Sequence, residues 1–343
     1  MASNNLSKLT TPLLGAGLLL IMLASARYGA VQISWAEIIS ALQNFFGQAG
    51  ETTLNERIFL DIRLPRAILC VWVGASLAVG GTLMQALFRN PIVEPGWVGT
   101  SSGAAFGAAL YFVLGALFHF HTGEWTLPLA ATVGAVVSTL MVFVFARSRE
   151  SGKSSIVLLL LTGIAMNALF MSGVGFLSYI ARDPQARSIT FWGMGTLSGA
   201  NWHSVWIVGI VTLTGLLISL RLARPLNALM MGEDEALYLG VQIQHMKWMV
   251  LGINVMMIAV ATSFVGVISF VGLIVPHVLR MQDGADNRLL IRNSALAGGI
   301  FLSLADIIAR MVVRPAELPI GIVTSFVGVP VFIYLLRKKN YYF

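Results

Sequence analysis

The run Ser263-Phe-Val-Gly-Val-Ile-Ser-Phe-Val-Gly272 decides how this chain is read, because it sits inside an apolar stretch, 246–279, of awkward length. A helix needs about 20 residues to cross the hydrocarbon core of a bilayer. The stretch is too long for one crossing and tight for two. Charge places both its ends on one side: Lys247 precedes it, and Arg280, Arg288 and Arg292 follow it. Basic residues collect on the cytoplasmic side of membrane proteins, so a helix leaving that side must turn back within the stretch. The run 263–272 is the place for the break. Non-helical backbone at that depth survives only where protein or a water-filled cavity covers it, and broken helices of this kind often line transport paths.

Outward from the break, further apolar segments of crossing length fall at 9–26, 67–88, 98–120, 125–146, 156–180, 202–220, 294–309 and 321–336. With the two arms of the broken stretch they make ten spans with both termini inside. The first segment has a second reading. Lys8, a Leu-rich run and Ala24-Ser25-Ala26 also suit a secretory leader; the run is just long enough to span, and a retained helix is expected. On this topology eight of the 22 basic residues lie outside: Arg27, Arg57, Arg63, Arg66, Arg182, Arg187, Arg310 and Arg314. The bias has the expected sign but is modest, and eight exported arginines need a reason.

Composition agrees. Of 343 residues 57% are hydrophobic and 11% charged, with a mean hydropathy of +0.82, against about 25% charged in a soluble domain. The net charge of +7 is scattered between apolar runs and makes no basic face, which excludes nucleic acid as a partner. One cysteine, Cys70, excludes a disulfide within the chain. No soluble domain or repeat is visible, so 1–343 is a single transmembrane domain. Within it, 221–246 is a cytoplasmic segment. Gly99, Gly103 and Gly107 form a stripe of small residues suited to close helix packing, first of all within one subunit.

Enzyme chemistry finds little support. Gly152-Lys153-Ser154 resembles the end of a phosphate-binding loop, but Arg147 stands where the first glycine belongs, and a membrane helix precedes it rather than a strand. The five histidines, His119, His121, His203, His245 and His277, show no metal-binding spacing on a helix. No metal site and no cofactor of the chain's own are expected.

Two features ask for partners. Arg63-Leu-Pro-Arg66 opens the second span, with Pro65 suited to a first turn. Positive charge there opposes both the helix dipole and the inside-positive bias, so something anionic should meet it: lipid phosphate, a partner's carboxylates or an anionic substrate. Arg310, at an outer helix end, can pair with Asp306 four residues earlier. The cytoplasmic insert reads as two short helical pieces separated by Gly232, with Glu233, Asp234 and Glu235 favouring the second N-terminus. Leu229, Met230, Ala236, Leu237 and Leu239 offer more apolar surface than a solvated loop needs, which suits a protein partner or the lipid interface.

The ordered set Arg63-Leu-Pro-Arg66, Gln85-Ala-Leu-Phe-Arg-Asn-Pro-Ile-Val-Glu-Pro95, Gly99-Thr-Ser-Ser-Gly-Ala104, Leu160-Leu-Thr-Gly163, Phe191-Trp-Gly-Met-Gly195, 226–240, Gly272-Leu-Ile-Val-Pro-His277, Ala305-Asp-Ile-Ile-Ala-Arg310 and Glu317-Leu-Pro-Ile-Gly-Ile-Val-Thr324 resembles the FecCD-type permeases of binding-protein-dependent ABC importers. These serve iron-siderophores, haem and vitamin B12. The resemblance implies an all-α, ten-helix fold like that of the vitamin B12 importer permease, a homodimer in the bacterial inner membrane, two ATPase subunits inside carrying ATP and Mg, and a periplasmic or lipid-anchored substrate-binding protein outside. It places Arg63, Arg66 and Arg310 where carboxylates of the binding protein are received. It gives 226–240, with Leu229, Gly232, Glu233, Ala236, Leu239 and Gly240, the role of coupling to the ATPase. It sets Asn90 and Ile92 in an inner gate, with Ser154 and Ser155 near a second gating segment. Phe264-Val-Gly-Val-Ile-Ser stands where relatives have a smaller Gly/Ala-rich run. The segments Asn90-Pro-Ile-Val-Glu-Pro95, Gly99-Thr-Ser-Ser-Gly103 and Arg314-Pro-Ala-Glu-Leu-Pro319 look closest to haem permeases, so the expected cargo is haem, then a ferric siderophore, then a corrinoid. An ion-coupled secondary transporter is the competing class; it usually needs a buried carboxylate or an ion cage in its spans, and the best intramembrane acid here, Asp306, has Arg310 as a ready partner.

Overall fold

The computed structural model describes residues 3–29, 33–46, 53–117, 123–146 and 156–337, and every regular element among them is helical. Ser154, Ser155, His119 and His121 lie outside the described residues. Helix α1 (Ser3–Arg27) is followed by a short amphipathic α2 (Trp35–Phe46) and by α3 (Leu54–Arg57). A π-helical segment, Ile58–Arg63, then joins α3 to α4 (Leu64–Phe88). The second crossing therefore begins at Leu54, thirteen residues before the start expected from hydropathy alone. The physical reason is the capping box at Thr53, whose hydroxyl accepts from the Glu56 backbone while the Glu56 carboxylate accepts from the Thr53 N–H. Arg63 and Arg66 thus lie inside a continuous helical run, away from its dipole-bearing first turn.

α4 is the centre of the molecule, with 83% of its most apolar window buried. It packs on α9 (Trp202–Met231), α11 (Ile243–Val265), α12 (Val271–Asp283) and, most extensively, α13 (Asn287–Met311). Small residues make this possible. A methyl group added at Gly74 would overlap the Gly298 carbonyl, and one added at Gly298 would overlap the Gly74 carbonyl. In lipid, where apolar burial gives little drive for helices to associate, such backbone approach is a main source of attraction.

α5 (Thr100–Leu117) and α6 (Thr126–Phe145) form a hairpin beside this centre. The glycine stripe is buried in it: Gly103 faces the Gly134 carbonyl and Gly107 the Ala130 carbonyl. α7 (Ile156–Ile180) lies outside α5, followed by the short α8 (Asp183–Gly193). α10 (Glu233–Tyr238) is a brief helix after α9, and α14 (Ile320–Arg337) ends the described chain.

The break falls within the expected run. α11 stops at Gly266 (φ 74°), the backbone through Phe270 (φ 71°) is non-helical, and α12 returns for thirteen residues. Among the described residues seven helices are long and apolar enough to cross a membrane and α5 and α14 are shorter apolar helices; the thirteen-residue α12 stands where the sequence reading sets the returning arm of the ten expected spans. A further boundary differs from the sequence reading. α9 does not end near 220 but runs unbroken through Pro225 to Met231, so the first of the two expected short pieces is the end of a 30-residue helix. Pro225 forfeits a hydrogen bond to the Arg221 carbonyl, and the exposed Arg221 and Arg224 side chains place that loss at an aqueous end.

Candidate transport machinery

Three stations follow the helical frame from one face to the other, named outer, middle and inner after the orientation expected from the sequence. At the outer end, Arg66, Asp306, Arg310 and Glu317 form one network. Arg66 donates from Nε and Nη2 to Asp306 Oδ1 at 3.0 and 2.9 Å, and from Nη1 to both Glu317 oxygens at 3.1 and 2.9 Å. Arg310 reaches Asp306 Oδ2 at 2.8 Å, the i,i+4 pair expected from sequence. Asp306 is fully buried and both arginines nearly so.

Further arginine contacts go to the end of α1. Arg310 donates to the Tyr28 carbonyl at 3.1 Å and to Ser25 Oγ at 2.8 Å. Arg63 donates to the Ala26 and Arg27 carbonyls at 3.2 and 2.9 Å. The last carbonyls of a helix have no intrahelical donor and carry the negative end of its dipole, so two guanidinium groups cap α1. The structure thus brings Arg63, Arg66 and Arg310 together, as their assignment to one role requires. Each is turned inward; the anions meeting Arg66 and Arg310 belong to the chain itself, and Arg63 meets backbone carbonyls. Glu317, about two-fifths exposed, is the network's outermost member.

The middle station is the break. Gln85 Nε2 donates to the Leu273 carbonyl at 3.1 Å, and a methyl at Gly81 would overlap the Gly272 carbonyl. The connection after α4 climbs back to this depth. Asn90 Oδ1 accepts from the Ile92 N–H at 3.0 Å, fixing the turn that carries these two of the four gate candidates. Glu94 Oε1 accepts from the Phe270 N–H at 2.9 Å, and the Pro95 carbonyl accepts from Asn254 Nδ2 at 3.2 Å. A 3₁₀ turn, Pro95–Val98, then leads through Gly99 (φ 86°) into α5. A cavity of about 290 Å³ opens beside the two interruptions, bordered by Glu94, Trp97, Ser101, Asn167, Trp192 and Ser269.

The inner station is the elbow between α9 and α11. Gly232 (φ 155°) separates α9 from α10, and the three acids Glu233, Asp234 and Glu235 fill the first turn of α10, as the sequence indicates. Leu229 and Ala236 are fully buried and Gly232 is buried too, so these three candidates hold the elbow to the body. Leu239 and Gly240 are exposed, as are Met231, Leu237 and Tyr238. A cleft of about 490 Å³ between Pro225, Ala228, Leu239, Val241 and Met246 lies alongside. Glu233 pairs with Lys247 at 3.0 Å. Asp286 caps α13 by accepting from the Arg288 N–H at 3.0 Å and also accepts from Asn227 at 2.7 Å. Burial pushes its carboxyl up, but those hydrogen bonds and the Arg288 charge together hold it below the usual carboxylate range.

Sequence reasoning passed over Glu94 and the second role of Asp306. The available signal was an acid standing alone in an apolar stretch, which the membrane penalises unless it is engaged. Met231 and Tyr238 were missed because neither interrupts the helical pattern. Among the described residues, no group of three or more His, Cys, Asp or Glu is placed to hold a metal ion.

Known proteins share this arrangement. The model of the FecCD transport family matches residues 17–338. The hemin transport system permease protein HmuU of Yersinia pestis is 39% identical over 96% of this chain and 97% of its own length. The cobalamin import system permease protein BtuC of Halobacterium salinarum is 40% identical over 85% of this chain and 77% of its own length. A solved structure described as an inward-facing conformation of a metal-chelate type ABC transporter superposes with a TM-score of 0.83 at 29% identity, covering 96% of this chain and 98% of the other.

Proposed function

The chain belongs to the FecCD transport family and is a permease of the metal-chelate, haem and vitamin B12 type of ABC importer; on that premise we propose that its cargo is haem. The observation that carries the proposal is the end-to-end match to a hemin permease, 96% of one chain on 97% of the other. Ferric siderophores are the next candidates, since they share the chelate chemistry. A corrinoid is the second reading, favoured by the 40% identity to a cobalamin permease over a shorter span.

Cargo enters from a substrate-binding protein that docks at the outer station; Arg63, Arg66 and Arg310, the expected receivers of its carboxylates, are buried and engaged within the chain, so receiving them requires that these internal contacts be exchanged. The cargo passes the break and leaves through an inner gate formed by Asn90 and Ile92 with Ser154 and Ser155. Force arrives at the elbow 226–240, whose exposed Met231, Leu237, Tyr238 and Leu239 seat in an ATPase subunit. ATP and Mg are handled by that partner, and this chain binds no cofactor of its own. A second copy of the chain covers the exposed apolar faces of α7 and α14, where Phe176 and Phe326 are 63% and 83% accessible. Both termini lie in the cytoplasm of a bacterial inner membrane. An ion-coupled mechanism is disfavoured because Asp306 is held between two arginines.

The test is uptake by proteoliposomes holding the permease, its ATPase and its binding protein. Haem should accumulate only with ATP and all three parts, ahead of a ferric siderophore or cobalamin offered at equal concentration. Accumulation of cobalamin but not haem would overturn the cargo assignment. Uptake by the permease alone under a proton or sodium gradient would overturn the mechanism.

A further inference from the structure

Glu94 stands four residues beyond Asn90, in the same connection as Ile92, yet its hydrogen bond leaves that connection. Its carboxylate accepts from the Phe270 N–H, one of the donors at the start of α12 that the helix itself leaves without partners. The next residue adds two further ties. The Pro95 ring lies on Gly272, where an added methyl would sit 2.6 Å from Pro95 Cδ, and the Pro95 carbonyl holds Asn254 of α11. The connection is therefore fastened to both sides of the break at one level.

The opposite end of α12 reaches the elbow. Arg280 Nη1 lies 3.7 Å from Met230 Sδ. Just beyond α12, Asn287 donates from its backbone and side chain to Asn227 Oδ1 at 2.9 and 2.8 Å, and Asp286 accepts from Asn227 Nδ2. Both Asn227 and Met230 belong to the last turns of α9, directly before Gly232. One short helix thus spans the distance from the elbow to the segment 90–95.

We propose that Glu94 is a positioning residue that pins the gate connection to α12, so that α12 acts as a rod carrying motion from the ATPase-facing elbow to the inner gate. The inference rests on the gate and elbow roles proposed above. A simple helix cap would support α12 without linking ATP hydrolysis to transport. The pin predicts that the two come apart when Glu94 is lost.

The test uses the complete importer in proteoliposomes, with haem as the probe, comparing the parent with Glu94→Leu and Glu94→Gln. Removing a buried bond to a charged acceptor should lower uptake per ATP hydrolysed by about tenfold or more in Glu94→Leu, with ATP hydrolysis retained. Glu94→Gln, whose amide oxygen still accepts from Phe270, should restore coupling. A second readout is independent of cargo. Spin labels at Ile92→Cys and Met281→Cys, in a Cys70→Ala background, report the distance from gate connection to rod. In the parent that distance should hold constant with and without ATP, and in Glu94→Leu it should change or broaden. Parental uptake per ATP in Glu94→Leu, or a parent distance that shifts with nucleotide, would overturn the pin. If Glu94→Leu fails to assemble, the parent distance and the Glu94→Gln coupling ratio still decide. Failure of the parent to import haem would refute the cargo alone and leave the distance measurement valid.

Discussion

At the outer end, charged side chains from α4, α13 and the loop before α14 satisfy one another inside the protein, whereas at the inner end Met231, Leu237, Tyr238 and Leu239 stand exposed around the Glu233–Lys247 pair. The difference lies in what each region needs for its own stability. Asp306 is 0% accessible and is held by two nearly buried arginines. Tyr238 is 91% accessible and contributes almost nothing to the fold of its own chain. Outer residues should therefore behave as structure first, and inner ones as contact surface first.

The largest expected effect comes from breaking the outer network. Asp306→Asn leaves two buried guanidinium groups facing a neutral amide, a change of the kind that costs about 3–5 kcal/mol. Thermal unfolding in detergent, followed by size-exclusion, should show a large drop in the melting temperature or loss of the monodisperse peak. Arg66→Met combined with Asp306→Leu and Arg310→Leu removes Asp306 and both its arginines, leaving the part-exposed Glu317 at the rim, and should recover much of that loss. A triple variant as unstable as Asp306→Asn would mean that packing, not charge, holds this end.

Next comes the glycine contact beneath the network. Gly298→Ala inserts a methyl into the Gly74 backbone, and overpacking of this kind costs about 1–3 kcal/mol. Gly199→Ala, where an added methyl meets nothing within 4 Å, is the matched control and should leave the melting temperature nearly unchanged. Smaller again is Asp286→Ala, which removes the cap of α13 for about 1 kcal/mol. Because the folded-state pKa of Asp286 is depressed, its contribution is complete above the ordinary carboxylate pKa and is lost as pH falls through the lowered folded value. The parent and Asp286→Ala should therefore differ at neutral pH and converge in strong acid.

The smallest stability effect, and the sharpest contrast, belongs to the elbow. Leu237→Asp with Leu239→Asp alters only exposed side chains and should shift stability by about 0.5 kcal/mol or less. The same pair should abolish co-purification with the ATPase. Intact association would remove the elbow from the proposed interface.

These two regions also differ in how legible they were. The ten-helix frame and the break near Gly266 follow from segment length and the placement of lysine and arginine, which are local properties of the sequence. The acids at the start of α10 were readable for the same reason, since Glu233, Asp234 and Glu235 mark a helix N-terminus wherever the chain goes. The outer network was legible only in its i,i+4 part, Asp306 with Arg310. Its other half joins Arg66 to residues 240 and 251 positions away, and no pattern along one helix carries that information. The early start of the second crossing escaped because its cap, Thr53 with Glu56, precedes a stretch still carrying Arg57 and Asp61. α9 was cut short because the apolar run ends at Arg221, whereas the helix itself continues through the charged, aqueous end and Pro225 to Met231.

Gly74 and Gly298 meet backbone to backbone, with no side chain between them that could turn to a new rotamer. Two helices joined in this way have one seating and resist sliding. α4 and α13 therefore form a single keel, and the charges at its outer tip, Arg66 on one helix with Asp306 and Arg310 on the other, are set by that one seating.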